Sequence, residues 1–366
     1  MKRHLLRLLS SLMAAALLAG CGITAGETSE EVSELSSLMA SSLPPSIPSE
    51  ESSEPEPPAV SATRNPLTGE PGYDEALLGR RPVAVMVNNI AAALPQRGLA
   101  AADLVYEVVT EGGITRLMAV YADPASIPYV GPVRSVRHYY VALALPYDPV
   151  FVHFGGSPAG YNYISNLGVD NIDGMSYTNA FYQDSWRASN RGREHSFFID
   201  ADGIASVAGS RNYDFAGEPA PLFQYGGPDS VVLDQADASE VFVPFSTSYS
   251  AGFFYDAETG LYRKQRNGAD HIDADSNEVL TFKNVLILYT SVTAYQGEAQ
   301  RREVALGGGD GWYVTGGGRQ PISWSKGDSQ DQITITGPDG KEIEANPGKC
   351  YICITDKGNA ASTTFK

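Results

Sequence analysis

The feature that most restricts how this chain can fold is a change of pattern near residue 225 of its 366. Before it, short apolar runs at 82–87, 104–109, 116–121 and 150–154 read as strands, alternating with helical periodicity over 133–145 and 158–167. After it the residues are β-branched and aromatic. Turn signals recur there at 256–260, Asn267-Gly268, 307–311, 316–318, Pro338-Asp339-Gly340 and Pro347-Gly348. Alternating strands and helices predict an α/β domain over 64–224, with a mixed sheet and flanking helices. Close turns without a long helical period predict a small, mostly β domain over 225–366, either barrel or sandwich.

The residues before 64 fit neither pattern. Lys2, Arg3 and Arg7 precede an apolar run from Leu8 to Gly20 broken only by Ser10 and Ser11. This is the layout of an export signal over 1–20, and the run is shorter than the roughly 20 apolar residues a spanning helix needs. Leu18-Ala19-Gly20-Cys21 resembles the lipobox of bacterial lipoproteins, so Cys21 is expected to carry a lipid and to hold the protein on the outer side of the cell membrane. Residues 21–63 then form the expected tether: Ser, Glu and Pro rich, with eight glutamates and no basic residue, a composition that cannot bury a core.

A net charge of −17 disfavours nucleic acid and anionic lipid headgroups as partners. Basic residues gathered in one place are therefore informative. Gly131-Pro-Val-Arg-Ser-Val-Arg-His138 supplies Arg134 and Arg137, which a helix would put on one face, and Arg116 comes from the strand before them. Paired guanidinium forks suit phosphate or carboxylate. Asp103, Glu107, Glu111 and Asp123 lie close enough in sequence to neutralise them in a structural salt-bridge network instead.

A second signal is Val150-Phe-Val-His-Phe-Gly-Gly-Ser-Pro-Ala159, a strand running through a Gly-Gly turn into a helix capped by Ser157 with Pro158 in its first turn and Gly168 at its end. Amides of Gly155, Gly156 and Ser157 could bind an anion there, or the turn could be a tight connection and nothing more. Asp103, Glu107 and Glu111 recur every four residues, on one face of either a helix or a strand. Glu107 and Glu111 are candidate acid and base, with His153 assisting, although solvated or arginine-paired carboxylates are the common outcome. No HExxH or close histidine pair appears, so neither a metal nor a cofactor is expected. Proline after Ser157 removes the N–H that the Gly-x-Ser-x-Gly oxyanion hole of a hydrolase uses. Cys350 and Cys353 lie three apart on an expected strand, about 10 Å between Cα atoms and on opposite faces, too far for a disulfide.

Taken in order, Arg81-Pro-Val-Ala-Val-Met-Val-Asn88, Glu111-Gly-Gly-Ile-Thr-Arg116, Gly131-Pro-Val-Arg-Ser-Val-Arg137, Val152-His-Phe-Gly-Gly-Ser157, Asn171-Ile-Asp-Gly174, Phe254-Tyr-Asp256, His271-Ile-Asp273 and Asn346-Pro-Gly-Lys349 form a collinear set. The set resembles the YerB-like lipoproteins, a family defined by a domain of unknown function, from about Asn65 to the end. The chain departs from the family pattern in having Glu194-His195-Ser196 where that pattern has Pro-His-Asn. The resemblance implies a lipid-anchored envelope protein with an α/β first domain and a β second domain. It brings no established activity.

Three readings of function follow. The leading one is a module that binds an anionic ligand, such as a wall polymer or a lipid-linked sugar phosphate, through Arg116, Arg134, Arg137, Gly155, Gly156 and Ser157. The second is an enzyme acting on wall glycan or a phosphodiester with Glu111, Glu107 and His153. The third is a scaffold recruiting another protein through Tyr249, Tyr255, Tyr262 and Tyr313, whose strand positions equally suit packing.

Overall fold

The structure, a computed structural model, describes residues 63–366. The export signal, Cys21 and the tether up to residue 62 lie outside the described residues.

Ten strands form one sheet, in the order Thr334–Thr336, Gly318–Ser325, Gly308–Thr315, Asn284–Thr290, Cys350–Asp356, β2 (Leu104–Val109), β3 (Thr115–Tyr121), β1 (Val83–Asn88), β4 (Val150–His153) and β5 (Asn171–Asp173). Both halves of the chain therefore build the same sheet. The join is the strand Cys350–Asp356, which pairs in parallel with Asn284–Thr290 on one side and with β2 on the other. β3 runs antiparallel to β1 and β2, while β4 is parallel to β1 and to β5. It follows that β1, β2, β4, β5, Asn284–Thr290 and Cys350–Asp356 all point the same way and end along one edge. In open sheets that carboxyl edge is where ligands sit.

The strands are buried on both sides, which is why they read as unbroken apolar runs. Val85, Val105, Ala119 and Val152 face one core with Ile204 and Val207 of the helix Ala201–Arg211; Met86, Tyr106, Met118 and Phe151 face the other with Tyr139, Tyr140 and Leu143 of helix α1 (His138–Ala144). The second half adds a sheet of Ala269–Asp270, Leu261–Arg266, Ser250–Asp256, Glu240–Pro244 and Thr364–Phe365. Its Phe253, Tyr262 and Val243 pack on Val285, Ile287, Tyr351 and Cys353 of the long sheet. The second half is thus a mostly β sandwich, one of whose two layers continues into the α/β half. Cys350 and Cys353 are free, buried, and belong to opposite cores, as their odd spacing requires.

Helix α2 (Pro158–Leu167) begins where expected: Ser157 Oγ accepts from Gly160 N at 3.0 Å, and Gly168 ends the helix with a left-handed φ of 64°. The helix expected over 133–145 is shorter. Residues before His138 are extended, because their backbone is taken up by neighbouring segments: Arg134 N donates to Met86 O, Val133 N to Phe197 O and Val136 N to Gly155 O. The expectation that Arg134 and Arg137 share a helix face is overturned for that reason. In an extended chain, residues three apart point to opposite sides.

Candidate functional site

At the carboxyl edge of β1, β4 and β5 lies a cleft of about 460 Å³, lined by Val133, Arg134, Ser135, Phe154, Gly155, Gly156, Tyr161, Met175, Arg193, Glu194 and Phe197. The Gly-Gly turn forms its floor. Gly155 has φ 73°, a left-handed conformation that favours glycine, and its N–H donates to Asp173 Oδ1 at 2.8 Å. Asp173 also accepts from Met175 N and, at 2.8 Å, from the Tyr161 hydroxyl, so its carboxylate is engaged in holding the turn. Gly174 lies directly under Phe154, whose ring would stand 2.1 Å from a Cβ placed there. Only glycine fits at that position.

The sequence candidates separate into those that reach this cleft and those that do not. Arg134, Gly155 and Gly156 line it. Ser157 is buried behind the turn, its hydroxyl serving as the α2 cap and its N–H donating to Val136 O at 3.2 Å. With the Gly155 N–H on Asp173, the amide of Gly156 is the member of the trio that makes no hydrogen bond among the described residues.

Arg116 and Arg137 converge instead on Glu111. Nε and Nη2 of Arg137 both meet the Glu111 carboxylate, Arg116 Nη2 stands 3.7 Å from it, and Arg116 Nη1 donates to Ser135 O. Burial, and the charge of Arg137 beside it, bring the Arg116 pKa down to about 10, and its Nε finds no partner among the described residues. Burial alone would raise the Glu111 pKa, but the Arg137 hydrogen bond and the Arg116 charge outweigh it and hold the carboxyl below its ordinary value. His138, at the start of α1, pairs with Glu303 at 3.0 Å.

Arg134 differs from both. It is half-buried, and among the described residues its guanidinium makes neither a hydrogen bond nor an ion pair. Burial lowers its pKa while the charge of Glu194 works against that. Glu194 sits on the turn Arg193–His195; a backbone hydrogen bond and the neighbouring His195 and Arg134 keep it ionised. His195 Nδ1 meets Asn88 Nδ2 at 2.8 Å, tying that turn to the end of β1. Arg193 lies over the ring of Phe197, which stacks on Phe154 at 4.3 Å.

Asp103, Glu107 and Glu111 do not share a face of one cleft, because β2 ends before Glu111 and Asp103 precedes it. Asp103 accepts from Ala122 N and Asn65 Nδ2. Glu107 is 1% exposed between the two sheets, where Thr115 Oγ1 (2.7 Å), Asn89 Nδ2 (3.0 Å) and Tyr351 Oη (2.5 Å) donate to it and Lys264 Nζ lies 3.7 Å away. Arg266 donates to Asn89 O and Oδ1, Gln96 donates to Asn88 O and Asn89 Oδ1, and His271 Nε2 bonds Gln96 Oε1. Lys264 is fully buried, with the Tyr351 ring 4.8 Å from Nζ. His153 is also sealed. Its Nδ1–H donates to Gly155 O, its Nε2 accepts from Asn171 Nδ2, and burial lowers its pKa so that the ring is neutral. Tyr262 and Tyr313 are buried, and Tyr249 and Tyr255 pack against the core.

Sequence reasoning did not single out Glu194, Arg193, Tyr161 or Asp173. The available signal was the Asn171-Ile-Asp-Gly174 stretch: an aspartate at the end of a short strand followed by glycine is a turn anchor. A larger cavity, about 810 Å³, opens beside Tyr289, Gly307–Gly311 and Trp312. Its lining is mainly backbone and apolar, so the cleft at Arg134 is the better candidate for chemistry.

Comparison with known proteins places these features in a family. Residues 67–214 match the N-terminal domain, and residues 241–352 the C-terminal domain, of the protein family of unknown function DUF3048. The chain is 29% identical over 310 residues to "Putative lipoprotein YerB" of Bacillus subtilis (strain 168), covering 84% of this chain and 90% of that one. The crystal structure of YerB protein from Bacillus subtilis superimposes with a TM-score of 0.73 at 27% identity, covering 83% of this chain and 99% of that one.

Proposed function

This chain belongs to the DUF3048 family, carrying both of its domains in order, and from that premise we propose that it is an extracytoplasmic envelope protein that binds an anionic ligand in the Arg134 cleft. Cys21 is the proposed lipid attachment point; the sequence pattern and the lipoprotein name of the YerB relative support it. Two acyl chains hold a protein stably on a bilayer where one does not. The proposed ligand class is a wall polymer or lipid-linked sugar phosphate, which a membrane-tethered domain meets at that surface.

One observation carries the reading: in a strongly acidic protein, Arg134 is half-buried in a cleft and yet has no partner among the described residues. Desolvating a guanidinium without a partner is costly, so an anion there gains more than it would at the open surface. The N–H of Gly156, a residue of the cleft lining, has no partner among the described residues and adds a donor. Arg116 and Arg137 act from behind the wall formed by Ser135, two guanidiniums sharing the single Glu111 carboxylate. The arrangement of Glu107, Glu111 and His153 supplies no shared cleft for acid and base work, since Glu107 and His153 are sealed in separate places.

Calorimetric titration of the detergent-purified full chain with pyrophosphate tests the reading. Binding should weaken at least tenfold in Arg134→Ala and decline with salt. Equal binding by wild type and variant would remove the basis for the site.

A further inference from the structure

The cleft holds charge of both signs. Arg134 stands on the extended segment, fixed through Arg134 N to Met86 O and Phe154 N to Arg134 O. Glu194 stands exposed on the separate turn that His195 ties to Asn88, its Oε1 3.5 Å from His195 Nε2 and its carboxylate still open to solvent. The two side chains line the same cleft, each is the other's electrostatic neighbour, and they do not close into an ion pair. Asp173, the other carboxylate nearby, is occupied by Gly155 N, Met175 N and the Tyr161 hydroxyl.

A bare polyanion entering this space gains from Arg134 and from the exposed Arg193 at its rim but is repelled by Glu194, and a simple cation meets the reverse. A molecule with an anion at one end and an ammonium at the other satisfies both walls at once. The partly exposed ring of Phe154, stacked on the buried Phe197, and the exposed Met175 offer apolar surface to the carbon link between the two charges.

Resting on the anion-binding reading above, we infer that the ligand of this cleft is zwitterionic: a phosphate or carboxylate held by Arg134, joined by a short carbon link to an ammonium that faces Glu194. Phosphoethanolamine, inorganic phosphate and ethanolamine are the probes, titrated into the full chain and into Arg134→Ala and Glu194→Gln, whose thermal melts confirm folding. Phosphoethanolamine should bind at least tenfold more tightly than phosphate. Glu194→Gln should erase that advantage while phosphate binds as well as before or better, and Arg134→Ala should weaken both. Phosphate binding that depends on Arg134, with no preference for phosphoethanolamine or a preference untouched by Glu194→Gln, overturns the zwitterion and leaves the anion site standing. No Arg134-dependent binding of any probe overturns both.

Discussion

The Glu107 pocket and the Arg134 cleft are made from the same materials, a carboxylate and nearby cations, and they come to opposite ends. Glu107 is saturated: three donors and the Lys264 ammonium surround it, and Asn89 links it to Arg266 and Gln96. Arg134 and Glu194 stay apart across open space. The contrast shows that strong burial of charge does not by itself mark a place where chemistry happens. A sealed network has no bonding capacity left for a visitor, whereas a half-buried group with unused donors has it all in reserve.

The strongest way to break that contrast is to disturb the sealed side. Lys264→Met keeps the volume but leaves Glu107 buried without its cation, and should cost about 3–5 kcal/mol, as breaking buried pairs does. Urea unfolding measures this. A loss under about 1 kcal/mol would mean that the hydroxyl and amide donors alone sustain Glu107.

Acid provides a second, smaller test. Burial holds His153 below its ordinary value and, with the charges of Lys264 and Arg266, holds His271 well below it. The folded state therefore takes up protons later than the unfolded one. Stability should be full above about pH 6.5 and fall as pH drops from there toward the depressed folded values, by up to roughly 1.4 kcal/mol per pH unit for each ring. Denaturant titrations from pH 7.5 down to 5 should show the decline, and His271→Gln should reduce it. A flat profile would mean that these rings are open to solvent after all.

The smallest effect belongs to the open side. Arg134→Ala removes no hydrogen bond or ion pair of the side chain among the described residues, so stability should stay within about 0.5 kcal/mol of wild type while ligand binding is lost. A loss of 2 kcal/mol or more in urea unfolding would make Arg134 a structural residue and collapse the distinction between the two regions.

How much of this was legible in the chain depended on how far each partner lay in sequence. Helix α2 could be read in full, because Ser157, Pro158 and Gly168 are all local signals. The stretch 133–137 looked helical because Val133, Val136 and Tyr140 keep helical spacing. Its real partners are Met86, Phe197 and Gly155, which spacing cannot reveal. In sequence Glu107 reads as a candidate acid or base that the neighbouring arginines would neutralise. The groups that do, Lys264 and Tyr351, lie in the other half, Tyr351 at a separation of 244 residues. The candidate arginines read as one cluster, but an extended backbone sends Arg134 into the cleft and Arg137 to Glu111, a division that a helical reading conceals.

The late strand Cys350–Asp356 carries one more consequence. It is inserted between β2, from early in the chain, and Asn284–Thr290. Until it arrives, each flanking strand presents a raw hydrogen-bonding rim, the kind of edge that invites unwanted association. The first half therefore cannot finish assembling as it emerges. Closure of the sheet waits for residues 350–356 to be delivered, much as an arch stays on its scaffolding until the keystone is set.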